Sequence, residues 1–317
     1  MKKVLVTGGA GYIGSIIVQK LMGLPNVELI RVLDCIPVQN KSFHEKNGKF
    51  EFVNGDLRND LDLDCSLKDI DTVFHLAALV GDPACDKSPE QAVEINVNCV
   101  KKLINFALKN DVEKVVLSST CSVYGVQNGE EYVNENSIPK SASHYGKTKL
   151  DAEQLLMDAC TENGLGVTIF RLSTIYGGSL PSAMHFKIFV NLFVLHAYKA
   201  KLIKVFGGAN WRPLLYVGDV AKAFLNAGAA SRNKVSGEIF NLGCNTENYT
   251  IRQVADIVAE EVPGTEVVDV PTLSSPSSYR VSFDKIENIL QFKPDFNLHK
   301  GVRELHDLII SGHYGQL

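Results

Sequence analysis

Short apolar runs rich in β-branched residues alternate with stretches of helical periodicity through the first half of the chain. Runs at 3–7, 27–33, 50–53, 72–75, 114–118 and 166–171 predict strands. Between them, helices are expected over 12–22, 89–109 and 145–163, the last with Ser143 placed to cap it. Strands that alternate with helices imply a parallel sheet closed by crossover helices, an α/β doubly wound fold. After Tyr176-Gly177-Gly178 the rhythm changes, with helices expected at 185–199, 217–230, 250–261, 284–290 and 301–310 and one strand at 238–242. This mixed α/β region reads as a smaller lobe, so residues 1–177 and 178–317 are taken as two domains, with parts of 206–245 expected to rejoin the first sheet.

Composition narrows the class of partner. A chain of 317 residues can bury a substantial core. Lys and Arg total 32 against 36 Asp and Glu, for a formal net charge of -4, and no basic stripe interleaved with aromatics is present. Neither nucleic acid nor an anionic membrane is therefore favoured as a partner, and a small molecule is. Seven cysteines scattered from Cys35 to Cys244 without paired metal spacing suit reduced thiols in a cytoplasmic protein and give no metal site. The first apolar segment runs straight into glycines, too short for a signal peptide, and the stretch 186–198 contains Lys187, Asn191 and His196 and falls short of the ~20 residues of a membrane span. A soluble protein is expected.

Gly8-Gly9-Ala10-Gly11-Tyr12-Ile13-Gly14 follows the first predicted strand and opens the first predicted helix. In that setting glycines let the backbone approach a pyrophosphate at the helix N-terminus. Spaced glycines alone also describe a tight turn. Twenty residues beyond Gly14, however, Asp34 ends the second strand, where a carboxylate can accept hydrogen bonds from the ribose hydroxyls of adenosine. A carboxylate there repels a 2′-phosphate and the following Cys35-Ile36-Pro37 offers no Arg to bind one, so NAD is favoured over NADP.

Further along, Tyr145 and Lys149 stand four residues apart on a predicted helix, which puts the phenol and the ammonium on one face. A free phenol ionises near ~10, so tyrosinate chemistry at neutral pH needs roughly 4 kcal/mol of help. An adjacent ammonium and an oxidised nicotinamide both carry charge of the right sign. The expected chemistry is removal of a substrate hydroxyl proton by Tyr145 while its carbon gives hydride to the dinucleotide.

Together these residues resemble the extended short-chain dehydrogenase/reductase family of nucleotide-sugar epimerases and dehydratases. The likeness continues through Gly55-Asp56-Leu57, His75-Leu76-Ala77-Ala78, Asn96-Val97, Ser118-Ser119-Thr120 with Val123-Tyr124-Gly125, Trp211-Arg212-Pro213, Tyr216-Val217-Gly218-Asp219-Val220, Phe240-Asn241-Leu242-Gly243 and Tyr279-Arg280. The resemblance implies a Rossmann sheet holding NAD through Gly8, Gly11, Tyr12, Ile13, Gly14 and Asp34, with Asp56 and Leu57 at the adenine. It implies that Leu76, Ala77, Ala78 and Asn96 line the cofactor channel with Tyr145 and Lys149, and that Thr120 hydrogen-bonds the reacting sugar hydroxyl, completing a catalytic set of Thr120, Tyr145 and Lys149. Arg212 and Arg280 fall where the family holds the diphosphate of a nucleotide sugar, a task suited to a planar guanidinium, and Asn191 resembles a position that meets the same diphosphate. A homodimer through the helices containing Asn96 and Tyr145 is also implied. His75 and His144 are better explained by strand core and helix entry.

The family shares oxidation at C4 of the sugar, and extra acid and base groups set the fate of the resulting ketone. Family dehydratases and decarboxylases carry Glu two residues before the Tyr of Val-Tyr-Gly, where this chain has Ser122; Cys121 lies one position from the Cys of the family's 3,5-epimerases and epimerase-reductases. Elimination needs a proton acceptor and donor at C5 and C6, and neither is evident. A nucleotide-sugar 4-epimerase is therefore the favoured reading, with a 4-dehydrogenase or 4-ketoreductase as the alternative and a non-catalytic NAD-sensing protein behind both. Spacing assigns no chemistry to Asp82, Cys85 or Cys121.

Overall fold

The computed structural model of the chain describes residues 1–36, 48–125, 132–271 and 278–315, so Pro37 lies outside the described residues. By its internal contacts the chain divides into two compact units: Met1–Val123, Lys140–Arg171 and Ala221–Phe240 form the first, and Tyr124–Pro139, Leu172–Val220 and Asn241–Leu317 the second. The strands, in chain order, are β1 (Lys3–Thr7), β2 (Leu29–Asp34), β3 (Phe50–Asn54), β4 (Thr72–His75), β5 (Lys114–Thr120), β6 (Tyr132–Val133) and β7 (Gly166–Leu172). They continue with β8 (Thr174–Tyr176), β9 (Leu202–Phe206), β10 (Trp211–Tyr216), β11 (Glu238–Leu242), β12 (Asn248–Thr250), β13 (Glu266–Val270) and β14 (Arg280–Val281).

Seven strands make one sheet in the order β11-β7-β5-β4-β1-β2-β3, a doubly wound Rossmann sheet whose order reverses between β1 and β4. β1 pairs in parallel with β2 on one side and β4 on the other, with Val6 opposite both Val32 and Phe74. One face buries Leu5, Val73, Val115, Leu117 and Ile169 against Leu63 and Leu67, Leu103, and Leu156 from the helices Asp60–Leu67, Cys99–Lys109 and His144–Asn163. On alternate strand positions Phe74 and Phe170 point the other way and meet Phe224 of the helix Val217–Ala229, at ring-centroid distances of 5.5 and 5.2 Å. Two apolar faces explain why these strands read as continuous hydrophobic runs.

In the second unit the strands are shorter. β10 pairs antiparallel with β12 and parallel with β8, β13 pairs with β9, and β14 with β6. The helix Ile251–Glu261 starts in a capping box between Thr250 and Gln253. Helices Phe189–Ala200, Asp284–Leu290 and Leu298–Ile310 complete the unit.

Several observed elements differ from those expected, among them the strands β6, β8, β9, β10, β12, β13 and β14, none of which is among the expected strands. The segment 89–109 is not one regular helix: Pro89–Val93 and Cys99–Lys109 flank a π-helical turn at Glu94–Asn98. Helices at Asp60–Leu67 and Asp82–Lys87 have no counterpart among the expected elements. The first alternates Asp and Leu, the period of a strand, and becomes a helix with Asn59 as its cap, the side-chain oxygen accepting from Leu61 N–H at 3.0 Å. Among the described residues no helix is long and apolar enough to cross a membrane.

A buried lysine closes the helix Val217–Ala229. Lys114 Nζ donates to the carbonyls of Ala227, Gly228 and Ala230 at 3.1, 3.0 and 2.8 Å, satisfying groups that a helix end leaves unpaired. Lys114→Met leaves those carbonyls without that donor and is expected to cost about 2 kcal/mol of stability, read from the urea midpoint at constant m.

Candidate active site

The glycine loop grows out of β1. The chain turns through Gly8 at φ +72° and enters the helix Tyr12–Met22 with Gly11 as its extended cap residue. Gly8 N–H donates to the Leu33 carbonyl at 2.9 Å, and Gly11 N–H to the Gly8 carbonyl at 3.1 Å. A Cβ on Gly8 would lie 2.8 Å from the Ala77 nitrogen, and one on Gly14 would run into the Gly8 carbonyl and stand 2.7 Å from the Gly9 Cα. Backbone therefore packs on backbone, and the helix opens directly from the loop. Asp34, at the end of β2, accepts from Ala10 N–H at 2.9 Å through Oδ2 and from Ile36 N–H at 3.0 Å through Oδ1. Each oxygen keeps lone-pair capacity, so the carboxylate is fixed beside the loop and still able to accept.

Beyond β3, Asp56 takes the Arg58 guanidinium at 2.6 Å, and that hydrogen bond holds its carboxyl below the usual range. Leu57 is buried in the core of the first unit. β4 ends at His75, whose Nδ1 shares a 2.8 Å hydrogen bond with Thr7 Oγ1; burial, and then the charge of Lys149, push its pKa down to about 3 and keep the ring neutral.

Tyr145 and Lys149 stand one turn apart on the helix His144–Asn163, capped by Ser143, whose hydroxyl accepts from Gly146 N–H at 3.1 Å. Tyr145 is half-buried and Lys149 is 4% exposed. Burial pushes the Lys149 ammonium down to about 8, against the opposing influence of Glu153 and Cys85. Thr120, the last residue of β5, accepts the Ser122 N–H at 3.1 Å, which leaves its own O–H to be donated.

The π-helical turn aims Asn96 at the chain that follows β4. Asn96 Oδ1 accepts from Leu79 N–H at 2.8 Å, and Nδ2 donates to the Leu79 carbonyl at 3.0 Å and to Thr148 Oγ1 at 3.1 Å. Thr148 in turn donates to the Tyr145 carbonyl at 2.9 Å, so the segment carrying Leu76, Ala77 and Ala78 is tied to the helix of Tyr145. The Cys85 thiol donates to the same Leu79 carbonyl at 3.3 Å, and the Asp86 carboxylate meets His144 Nδ1 at 2.9 Å. Cys121 is fully buried and donates to the Arg171 carbonyl at 3.2 Å.

In the second unit the pairing of β14 with β6 sets Arg280 opposite Tyr132. Its guanidinium carbon lies 4.8 Å from the Tyr132 ring centroid and 4.9 Å from that of Trp211, a cation held between two aromatic faces. Arg212, on β10, donates from Nη1 to the Trp211 carbonyl at 2.8 Å and lies 5.7 Å from the Tyr279 ring. Asn191 is fully buried; its Oδ1 accepts from Gly177 N–H at 2.9 Å and its Nδ2 donates to the His185 carbonyl at 3.1 Å.

Residues 4–243 match the model of the NAD dependent epimerase/dehydratase family. The chain belongs to this family. It is 32% identical over 308 residues to the "Putative UDP-glucose 4-epimerase" of Methanocaldococcus jannaschii, covering 95% of this chain and 96% of that one. It is 30% identical over 266 residues to the dTDP-D-glucose 4,6-dehydratase of Homo sapiens, 81% of this chain and 73% of that one. The crystal structure of UDP-glucuronic acid 4-epimerase from Bacillus cereus, in complex with UDP-glucuronic acid and NAD, superposes with a TM-score of 0.86 at 27% identity, covering 98% of this chain and 99% of that one.

The protein is thus an enzyme of the extended short-chain dehydrogenase/reductase type, and NAD is its cofactor. The residues present fit that cofactor. Gly8 and Gly14 have no room for a side chain, the helix N-terminus suits a pyrophosphate, and a fixed carboxylate at Asp34 suits ribose hydroxyls. The fold brings Thr120, Tyr145 and Lys149 into the first unit and Arg212, Arg280 and Asn191 into the second. Sequence reasoning missed the partners Leu79 and Thr148 of Asn96, because a side chain bonded to a backbone seventeen residues away leaves no periodic signal.

Two outcomes test this geometry. Gly14→Ala forces the loop apart and is expected to weaken NAD binding at least roughly 10²-fold, as measured by calorimetry, since a displaced loop loses the backbone contacts on which a pyrophosphate depends. The second concerns Lys149, ordinarily 10.5 and about 8 in the fold. Between those values the unfolded chain binds the extra proton, so stability rises with pH across that window and the cost of burying the charge is fully present below it. Lys149→Met is expected to remove this rise and to stabilise the NAD-free chain near neutral pH by roughly 3 kcal/mol, both read from urea titrations at neutral and alkaline pH.

Proposed function

We propose that the protein is an NAD-dependent nucleotide-sugar 4-epimerase. The observation that carries the reading is the company of Thr120: Tyr145 and Lys149 supply a proton acceptor and its electrostatic support, while the turn Cys121–Tyr124 brings Ser122 and no carboxylate. Relatives named as UDP-glucose and UDP-glucuronate 4-epimerases support the same reading.

In this reading Tyr145, as tyrosinate, takes the proton of the sugar C4 hydroxyl. Lys149 lowers the energy of the tyrosinate by its charge, and Thr120 donates to the same sugar oxygen, fixing which hydroxyl reacts. NAD, when bound, supplies the acceptor for the hydrogen leaving C4 and returns it to complete the cycle. Loss of a proton and a hydride turns the C4 alcohol into a ketone; once the ketone has turned its other face, return of the hydride to C4 and of the proton from Tyr145 to the oxygen gives the inverted alcohol. Asp34 and the loop Gly8 to Gly14 bind the dinucleotide, Asp56 and Leu57 border its adenine, and Leu76, Ala77, Ala78 and Asn96 line its channel. Arg212 and Arg280 hold the sugar nucleotide's diphosphate, the second pre-oriented by its two aromatic rings. Asn191 contributes through the Gly177 backbone that it fixes. The active form in this reading is a homodimer, checked by sedimentation.

UDP-glucose and UDP-glucuronate deuterated at C4 test the reaction. Label retained at C4 of an inverted sugar is the expected result; deuterium released in NADH marks a 4-dehydrogenase, and loss of water marks a dehydratase. Tyr145→Phe is expected to lower kcat by roughly 10²–10⁴-fold while leaving NAD affinity unchanged.

A further inference from the structure

Both chain neighbours of Thr120 are tied to the residues of one buried ion pair, Ser119 to the Glu153 carboxylate and Cys121 to the Arg171 backbone. Glu153, one turn beyond Lys149 on the same helix, accepts a hydrogen bond from the Ser119 hydroxyl. It also meets Arg171 of β7, with Nη2 to Oε2 at 2.7 Å and Nε to Oε1 at 3.2 Å. On the other side of Thr120, the Cys121 thiol donates to the Arg171 carbonyl at 3.2 Å. Glu153 and Arg171 are 3% and 4% exposed.

Such a pair is a poor stabiliser. Removing two ions from water costs about what their attraction returns, and apolar residues of similar volume commonly serve as well or better. What the pair does supply is geometry: a two-pronged contact has one orientation, and this one joins the end of β5, β7 and the helix of Tyr145 and Lys149 at a single point.

We propose that the Glu153–Arg171 pair is a positioning device that fixes Thr120 Oγ1 relative to the Tyr145–Lys149 face. The proposal rests on the roles given to those three residues above. Glu153 is a positioning residue in two respects, since its charge also supports the Lys149 ammonium against burial.

The test separates geometry from stability. Replacing both ions together, Glu153→Met with Arg171→Met, is expected to give a chain that melts at or above either single variant and keeps its NAD affinity, yet loses roughly 10²-fold in kcat on whichever of UDP-glucose and UDP-glucuronate the parent turns over. In its crystal structure Thr120 Oγ1 should move relative to Tyr145 by about 0.5 Å or more. Ser119→Ala, which cuts only the link to Glu153 and preserves the ion pair, is expected to lower kcat by about tenfold with little change in melting. It decides the matter if the double variant fails to fold. An unmoved Thr120, parental kcat in the refolded double variant or in Ser119→Ala, or NAD affinity falling in step with kcat overturns the positioning role. Parental turnover in Tyr145→Phe sinks the functional reading instead, and the displacement of Thr120 then decides the positioning role by itself.

Discussion

Burying the ammonium of Lys149 is the constraint to which the rest of the first unit answers. A charge removed from water is costly unless its surroundings favour it, and here burial brings the group down to about 8. Glu153 one turn away works against that shift, but its own charge is shared with Arg171. The three groups sum to one positive charge, and Lys149, one turn from Tyr145, carries charge of the sign that favours an ionised phenol. His75 completes the arrangement by staying neutral, held so by burial and by Lys149 itself.

The frame that holds this charge is the reversal of strand order between β1 and β4. At that point neighbouring chains diverge beyond the strand ends, and the glycine loop and the segment after His75 emerge side by side, close enough that Gly8 and Ala77 have no room for a side chain between them. Loops at a switch point are free to carry function because the strands beneath them are fixed on both faces. Asn96 makes the second of these loops as definite as the first. Its amide pairs with both backbone groups of Leu79, as a neighbouring strand would, and a third bond passes the constraint to Thr148 and the backbone of Tyr145.

The second unit solves a different problem. A free arginine side chain samples many rotamers, and holding it in one costs entropy. Arg280, set between the rings of Tyr132 and Trp211, has already surrendered much of that freedom. Short strands suffice here because their task is to set pairs of side chains opposite one another, as β6 and β14 do for Tyr132 and Arg280.

How much of this was legible in the chain depends on the range of each interaction. The sheet strands, the glycine loop before a helix, Asp34 at the second strand end and the i,i+4 placement of Tyr145 and Lys149 are local patterns, because strand and helix periods and chain spacing fix them without reference to distant residues. The helix at Asp60–Leu67 escaped because its Asp–Leu alternation carries the wrong period, and β6 and β14 because strands of two residues carry none. The sequence by itself determined a doubly wound nucleotide fold with a phenol and a cation on one helix face. Only the tertiary structure decided that Glu153 meets Arg171, that Asn96 grips Leu79, and that Arg280 lies between two rings, because each of those contacts joins residues brought together by packing rather than by position along the chain.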